Sequence, residues 1–217
     1  MATRSTRTST RPTVVLFVRH GQTPTTGTKL PGRARGLHLA DKGREQAVRA
    51  GARIGAVGTV SAVYASPMER TQETAAPIAR ACKLRVRTHK GLIEADFGEW
   101  TGKNLSALRK KPEWNTVQRY PSGFRFPGGE SFTEMQTRMT GAVADLVSRH
   151  PGETIVAVSH ADTIKAAVAD AQGTPLDLFQ RIVISPCSVS AVMYTSTGPI
   201  VLSVNSTGDD LSTLVPS

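Results

Sequence analysis

Two short apolar runs constrain this chain more than any other feature in it. Thr13 to Val18 reads TVVLFV and Thr154 to Val158 reads TIVAV, both unbroken and rich in β-branched residues. A strand that is apolar at every position needs cover on both faces, which a parallel sheet between helices provides. Each run leads into a histidine, through Arg19-His20 in one case and Ser159-His160 in the other. Open parallel sheets build their ligand crevices at the C-terminal ends of their strands. Both histidines are therefore candidates for one site.

The segments between and after these runs supply the helices. Asp41 to Ala56 combines helix formers with a face of small apolar residues, and Ala62 to Ala65 is the next strand candidate. Ser66-Pro67-Met68-Glu69 offers a capping serine, a proline at the first helical position and a glutamate to complete a capping box, predicting a helix to about Ala81. Lys83 to Thr88 alternates polar and apolar and predicts a third strand near a sheet edge. Ser131-Phe132-Thr133-Glu134 is a second capping box. Behind it Phe132, Met135, Met139, Val143, Leu146 and Val147 keep helical spacing until His150-Pro151-Gly152 ends the helix. Ala161 to Ala171 reads as a helix, and Val189 to Tyr194 with Ile200 to Val204 as two closing strands. Strands alternating with helices indicate an α/β layered fold. Gln22 to Ala40 is a loop by composition, and the turn-rich stretch from about 103 to 129 reads as an insertion over the core.

Charge narrows the class of partner. The 27 Lys and Arg against 17 Asp and Glu give +10, but 23 of the basic and only 8 of the acidic residues precede Phe126. A positive balance predicts anionic partners: nucleic acid, a lipid surface or small phosphorylated molecules. Only Lys103 to Arg125, with Trp114, Tyr120 and Phe124, interleaves basic and aromatic residues as a nucleic-acid surface does. Nucleic acid is thus disfavoured as a partner. No apolar run approaches the ~18 residues of a membrane span, and the opening MATRSTRTSTRP lacks a secretory signal's apolar stretch. Residues 1–12 are expected to be a disordered basic tail and 206–217 a C-terminal tail, flanking one domain over 13–205. Two cysteines, Cys82 and Cys187, and no signal point to free thiols in a reducing cytoplasm.

Arg19, His20, Arg70, Glu94 and His160 each fall at or just after the end of a predicted strand. Two guanidinium groups in one crevice suit a phosphoryl group, because each donates paired hydrogen bonds to its oxygens. The expected ligand is a phosphate ester.

These residues sit in recognisable motifs. Val18-Arg19-His20-Gly21-Gln22-Thr23 resembles the signature of the histidine phosphatase superfamily, in its phosphoglycerate mutase-like branch. Ser66 to Ala75 resembles the second motif of that family, Leu92 to Gly102 its third, and Val158-Ser159-His160 its fourth. The resemblance implies a three-layer α/β/α sandwich around a mostly parallel sheet, with a small inserted cap. It implies that His20 is the nucleophile, held by a backbone carbonyl through its other nitrogen, and that a phosphohistidine forms. Arg19, Arg70 and a protonated His160 would hold the phosphoryl oxygens, and Glu94 would serve as acid and then base. Neither a metal nor a cofactor is required by that scheme.

Around this core the resemblance adds substrate-binding candidates. Thr26 stands where mutases place an asparagine, Ala161 where glycine is frequent, and Arg33 lies in the loop after the first motif, positioned for the remainder of the ester. Asp162 is an alternative proton donor, by analogy with the phytase-like branch. The expected activity is metal-independent hydrolysis of small phosphorylated metabolites. Its alternatives are a 2,3-bisphosphoglycerate-dependent phosphoglycerate mutase or other phosphomutase and, more remotely, a basic nucleic-acid or protein-binding module with a vestigial site. Self-association into a homo-oligomer stays open. The other histidines take structural readings: His150 at a helix end, His38 and His89 in basic loops, none at metal-ligand spacing. Cys187 reads as a small buried hydrophobe and Cys82 as the end of a helix.

Overall fold

The computed structural model describes residues 11–208, so the two expected tails fall largely outside the described residues. Six strands form one sheet in the order β3-β2-β4-β1-β5-β6. The two apolar runs are its neighbouring central strands, β1 (Thr13–Arg19) and β4 (Thr154–Ser159), paired in parallel from Val14 opposite Thr154 to Arg19 opposite Ser159. β2 (Val60–Ala65) and the short edge strand β3 (Val86–Thr88) continue the parallel part. β5 (Val189–Thr195) runs antiparallel to β1 and forms a hairpin with β6 (Gly198–Ser206).

Alternation along β1 explains why every position from Val14 to Val18 is apolar. Leu16 and Val18 join a core with Ile54, Ala75, Ile78 and Ala79, from α1 (Asp41–Gly55) and α2 (Glu69–Ala81). Val15 and Phe17 face the opposite way, into a core with Met139, Val143 and Leu146 of α5 (Phe132–Arg149) and Ile164, Ala167 and Val168 of α6 (Ala161–Ala171). Three layers result, helices on both faces of a mixed, mostly parallel sheet. Among the described residues no helix is long and apolar enough to cross a membrane.

The insertion has a core of its own. α3 (Leu105–Leu108) and α4 (Glu113–Arg119) bring Leu108 and Val117 to Phe97, Trp100, Phe124, Phe126, Phe132 and Phe179. The rings meet mostly edge to face, as Phe97 and Phe126 do at 4.8 Å between centroids. This second core joins the insertion to the start of α5, so it is a packed part of the domain.

One expected cap forms and the other does not. At α5 the Glu134 N–H donates to Ser131 Oγ at 3.1 Å and the Ser131 N–H to Glu134 Oε2 at 2.9 Å, a complete capping box. At α2 the helix begins only at Glu69, with Met68 in the cap position and no side-chain cap. The Ser66 N–H donates to Val158 O and so prolongs the sheet by one residue. Glu69 Oε1 instead accepts from the Gly36 N–H. Tertiary bonds thus outcompete the local box.

Candidate active site

The β1–β4 register delivers the two histidines together. Arg19 lies opposite Ser159, so the next residues, His20 and His160, leave the sheet side by side with ring centroids 5.2 Å apart. A tight packing of loop on helix follows. The Cα of Gly21 lies so close to α1 that a Cβ there would come within 2.5 Å of Gly43 O, and one on Gly43 within 2.0 Å of Gln22 O. Only glycine allows this approach at either position.

Hydrogen bonds fix the state of each ring. His20 Nδ1 lies 2.8 Å from Gly21 O, and since a carbonyl only accepts, Nδ1 carries the proton and Nε2 keeps its lone pair. His20 is 4 % exposed and borders the crevice. Burial, then Arg70 and Arg19, hold its pKa well below the usual histidine range. His160 is fully buried, with Nδ1 3.2 Å from Arg70 Nη2 and Nε2 2.9 Å from Ser66 Oγ. Burial first, and Arg70 next, push its pKa well down as well. With Arg70 donating to Nδ1 the ring is neutral in this arrangement, whereas the resemblance implies a protonated His160 on the phosphoryl oxygens.

The two arginines are unusual for buried cations. Arg70 is 0 % exposed and donates from Nη2 to Gly32 O at 2.7 Å, while Arg19 Nη1 donates to Ile184 O at 2.6 Å. Neither forms an ion pair within 4 Å among the described residues. Among these residues, five buried side-chain nitrogens or oxygens lack a partner, and three of them are Arg19 Nε, Arg70 Nε and Arg70 Nη1. Buried donors of this kind are normally satisfied. Their presence beside His20 marks a site for an anion with several acceptor oxygens.

Glu94 enters on the segment after β3. Ser159 Oγ donates to Leu92 O at 2.7 Å, tying that segment to the end of β4. Downstream, Gly98 has φ +49°, and a Cβ on it would lie 2.1 Å from Pro127 O, so the chain turns where only glycine fits. The Glu94 carboxyl is 6 % exposed, and its Oε2 is 4.0 Å from His160 Nδ1. Burial, with the charge of Asp162 next, raises its pKa to about 7.

The remaining candidates divide. Thr26 and Ala161 line the same crevice as Arg19, His20 and Glu94, and Ala161 is the first residue of α6, whose N-terminal N–H groups lack intrahelical partners. Thr26 Oγ1 accepts from the Thr23 N–H at 2.8 Å, bracing the loop. Asp162 also lines the crevice, paired to Lys165 Nζ at 3.2 Å. Arg33 does not line it. Its Nε donates to Glu94 O at 2.8 Å, and its two Nη atoms meet Asp96 and Glu130, so it braces the Glu94 segment where an ester contact was expected. Arg138 completes this brace, with Nη1 donating to Gly91 O and Ile93 O and Nε to Glu130 Oε1. Arg138, Glu130 and Ser66 were not foreseen as site residues; the available signal was that Arg138 stands between the buried positions Met135 and Met139 of α5. His150 does occupy the end of α5, but its ring bonds Tyr64 and Glu153. Cys187 is buried against Leu39, Ala47 and Ala50.

Comparison with known proteins bears on the family and the fold. The Mycobacterium tuberculosis "Bifunctional protein Rv2228c" is 30% identical over 199 residues, 91% of this chain; the chain spans only 55% of that relative's length. A "Probable phosphoglycerate mutase GpmB" from Cronobacter sakazakii is 32% identical, covering 83% of this chain and 84% of the relative. In structure, a mycobacterial glucosyl-3-phosphoglycerate phosphatase superposes with a TM-score of 0.81 at 23% identity, covering 90% of this chain and 100% of the other, a likeness of fold. Bacillus stearothermophilus YhfR superposes with 0.83 at 28% identity, over 89% and 97%. The family model of the histidine phosphatase superfamily (branch 1) matches residues 15–207, and the chain belongs to that superfamily.

Proposed function

We propose that this enzyme hydrolyses phosphate monoesters of small metabolites through a phosphohistidine on His20. The observation that carries the reading is the set of three unpartnered guanidinium nitrogens beside a neutral His20 whose Nε2 lone pair is available. Nε2 attacks phosphorus in line, forming an N–P bond as the ester P–O bond breaks. Arg19 and Arg70 meet the charge on the equatorial oxygens, which is the main demand of a loose phosphoryl transfer. Burial and then the arginine charges depress His160, and an arriving dianion offsets the second of these, favouring its protonation and donation to the same oxygens.

Glu94 supplies the proton. A carboxyl with a pKa of about 7 is protonated in a large fraction of molecules at neutral pH, and gives its proton to the departing alkoxide. The resulting carboxylate then takes a proton from water as its oxygen displaces His20 from phosphorus. Inorganic phosphate leaves, and His20 returns to its neutral form. The positive charge required by this scheme comes from arginine, so activity is expected to survive EDTA.

A second reading, mutase activity dependent on 2,3-bisphosphoglycerate, has support from the likeness to the probable mutase of C. sakazakii. One experiment addresses both. Purified enzyme is incubated with para-nitrophenyl phosphate and with 3-phosphoglycerate, with and without 2,3-bisphosphoglycerate, and both phosphate and 2-phosphoglycerate are measured. Phosphate release that His20→Ala abolishes, with an acid-labile phosphoenzyme in the wild type, supports the hydrolase. Formation of 2-phosphoglycerate only with the bisphosphate supports the mutase, and hydrolysis persisting in His20→Ala overturns the covalent route.

A further inference from the structure

We infer that the alcohol part of the substrate is an apolar, hydroxyl-poor carbon body that ends in a second anionic group, a carboxylate or another phosphate. The inference rests on the phosphohydrolase reading and extends it to substrate class. It comes from the part of the crevice that the chemistry leaves unused. The cavity has a volume of about 490 Å³, more than a phosphoryl group fills, and its reacting end is confined to Arg19, His20, Glu94 and the start of α6.

Away from that end, one stretch of the wall is hydrocarbon. Leu30, Leu105, Trp114, Val117 and Phe126 line it. Leu30, Leu105 and Trp114 are only half-buried although they pack on the aromatic core, so part of each is turned to the crevice. A sugar needs convergent donors and acceptors for its hydroxyls, and loses hydration without recompense against such a wall. Neutral polar groups are few and mostly engaged: the hydroxyls of Thr23 and Thr26 bond each other at 3.0 Å and Gln180 Oε1 accepts from Lys165, which leaves Gln118. An apolar body instead gains by displacing water from this stretch.

The crevice wall also carries charge. Lys29 and Arg109 line the crevice, are exposed, and form no ion pair among the described residues, whereas Lys165 is neutralised by Asp162. The rim that bears them is a built structure. Residues 28–30 are stitched to 102–105 by Leu30 N–H to Lys103 O, Gly102 N–H to Leu30 O and Leu105 N–H to Thr28 O, at 2.7 to 3.0 Å. Trp114 lies nearly parallel to Trp100, 6.3 Å away, so the wall is held from behind. Two cations on the wall of a partly apolar crevice favour an anion on the substrate besides the phosphoryl group.

Three primary alkyl esters with similar leaving groups test this: n-hexyl phosphate, 6-(phosphonooxy)hexanoate and glucose 6-phosphate, with para-nitrophenyl phosphate as a control for turnover. Phosphate release should give a kcat/KM for hexyl phosphate about tenfold or more above that for glucose 6-phosphate, a preference that Leu105→Ser reduces. The terminal carboxylate should add a further factor of about five, and the ratio of carboxylated to plain ester should fall to about one in the Lys29→Ser/Arg109→Ser double variant. Equal or better use of glucose 6-phosphate overturns the apolar body. A ratio near one in the wild type, or one unchanged in the double variant, overturns the second anion. If para-nitrophenyl phosphate is turned over while these ratios fail, the substrate inference alone falls; if it is not turned over, the hydrolase reading falls with it.

Discussion

Arg70 Nη2 lies 3.2 Å from Nδ1 of His160, and because a guanidinium can only donate, this contact commits His160 to the tautomer protonated at Nε2. That proton points to Ser66 Oγ, 2.9 Å away. The ring is thus held from both sides, by a cation that belongs to the phosphoryl site and by a serine at the end of β2. In the proposed mechanism its state is coupled to the anion: phosphoryl oxygens that draw on Arg70 would release Nδ1 to take a proton and donate.

Replacing Ser66 with Ala should expose this coupling. The change removes the acceptor for a buried N–H, at a cost of about 1–3 kcal/mol, and frees the ring to turn. Expected is a fall of about tenfold or more in kcat for alkyl phosphates, with KM changed much less. Threonine, which keeps the hydroxyl, should restore most of the rate. If alanine and wild type turn over alike, Ser66 does not position His160.

The pH dependence should separate the two chemical steps. In the proposed mechanism Glu94, with a pKa of about 7, is protonated to form the phosphoenzyme and ionised to hydrolyse it. In rapid-quench experiments the rate of phosphoenzyme formation from an alkyl phosphate should fall as pH rises through about 7, and that of its hydrolysis should fall as pH drops through the same region. Glu94→Gln should remove both dependences while lowering both rates. Asp162→Asn should instead keep the dependences and move them to lower pH, since Asp162 contributes to the upward shift. Should the Asp162 variant lose the alkyl phosphate reaction while the Glu94 variant retains it, the acid is Asp162.

Stability should carry the opposite sign from function at the same residue. The folded pKa of Glu94 lies above the ordinary value of 4.5, so the unfolded chain releases this proton first and the native state loses stability as pH rises from about 4.5 to about 7. A shift of that size corresponds to about 3 kcal/mol once the pH is well above 7, and to little below pH 4.5. Glu94→Gln, neutral throughout, should therefore raise Tm by several degrees at pH 8 and by much less at pH 4.5. A stabilisation that does not vary with pH would show that the carboxylate is not held in an unfavourable setting.

What was readable in the sequence follows from the range of the interactions. β1 and β4 announce themselves because covering a strand on both faces imposes an apolar residue at every position, and the residues that end such strands inherit the crevice. The capping box of α5 is equally local. Ser66 and Arg33 were misread for one shared reason: each looks outward from a local motif, as a cap or a loop cation, yet bonds a partner far along the chain, His160 in one case and the Glu94 carbonyl in the other. Arg138 carried still less signal, since its partners include the backbone carbonyls of Gly91 and Ile93, which no side chain in the sequence advertises. The rim is likewise invisible, being made of backbone bonds between residues 28–30 and 102–105.

The brace behind Glu94 gives the sharpest test of these long-range contacts. Arg33 and Arg138 converge on the Glu94 carbonyl and share Glu130, whose carboxylate is half-desolvated but drawn down by Arg138 and Arg33 and also accepts the Asp96 N–H. Removing one member of such a cluster leaves charge and carbonyls without partners, so Arg138→Ala should cost about 3 kcal/mol of stability. Since both arginines act on the backbone and not on the carboxyl, loosening the segment should reduce kcat for alkyl phosphates, whose alkoxide needs a proton, more than for para-nitrophenyl phosphate, whose leaving group does not. Arg33→Ala, which leaves Arg138 in place, should show the same selectivity with a smaller loss of stability. Equal losses on both substrates would mean that the brace supports the whole crevice and not the placement of Glu94.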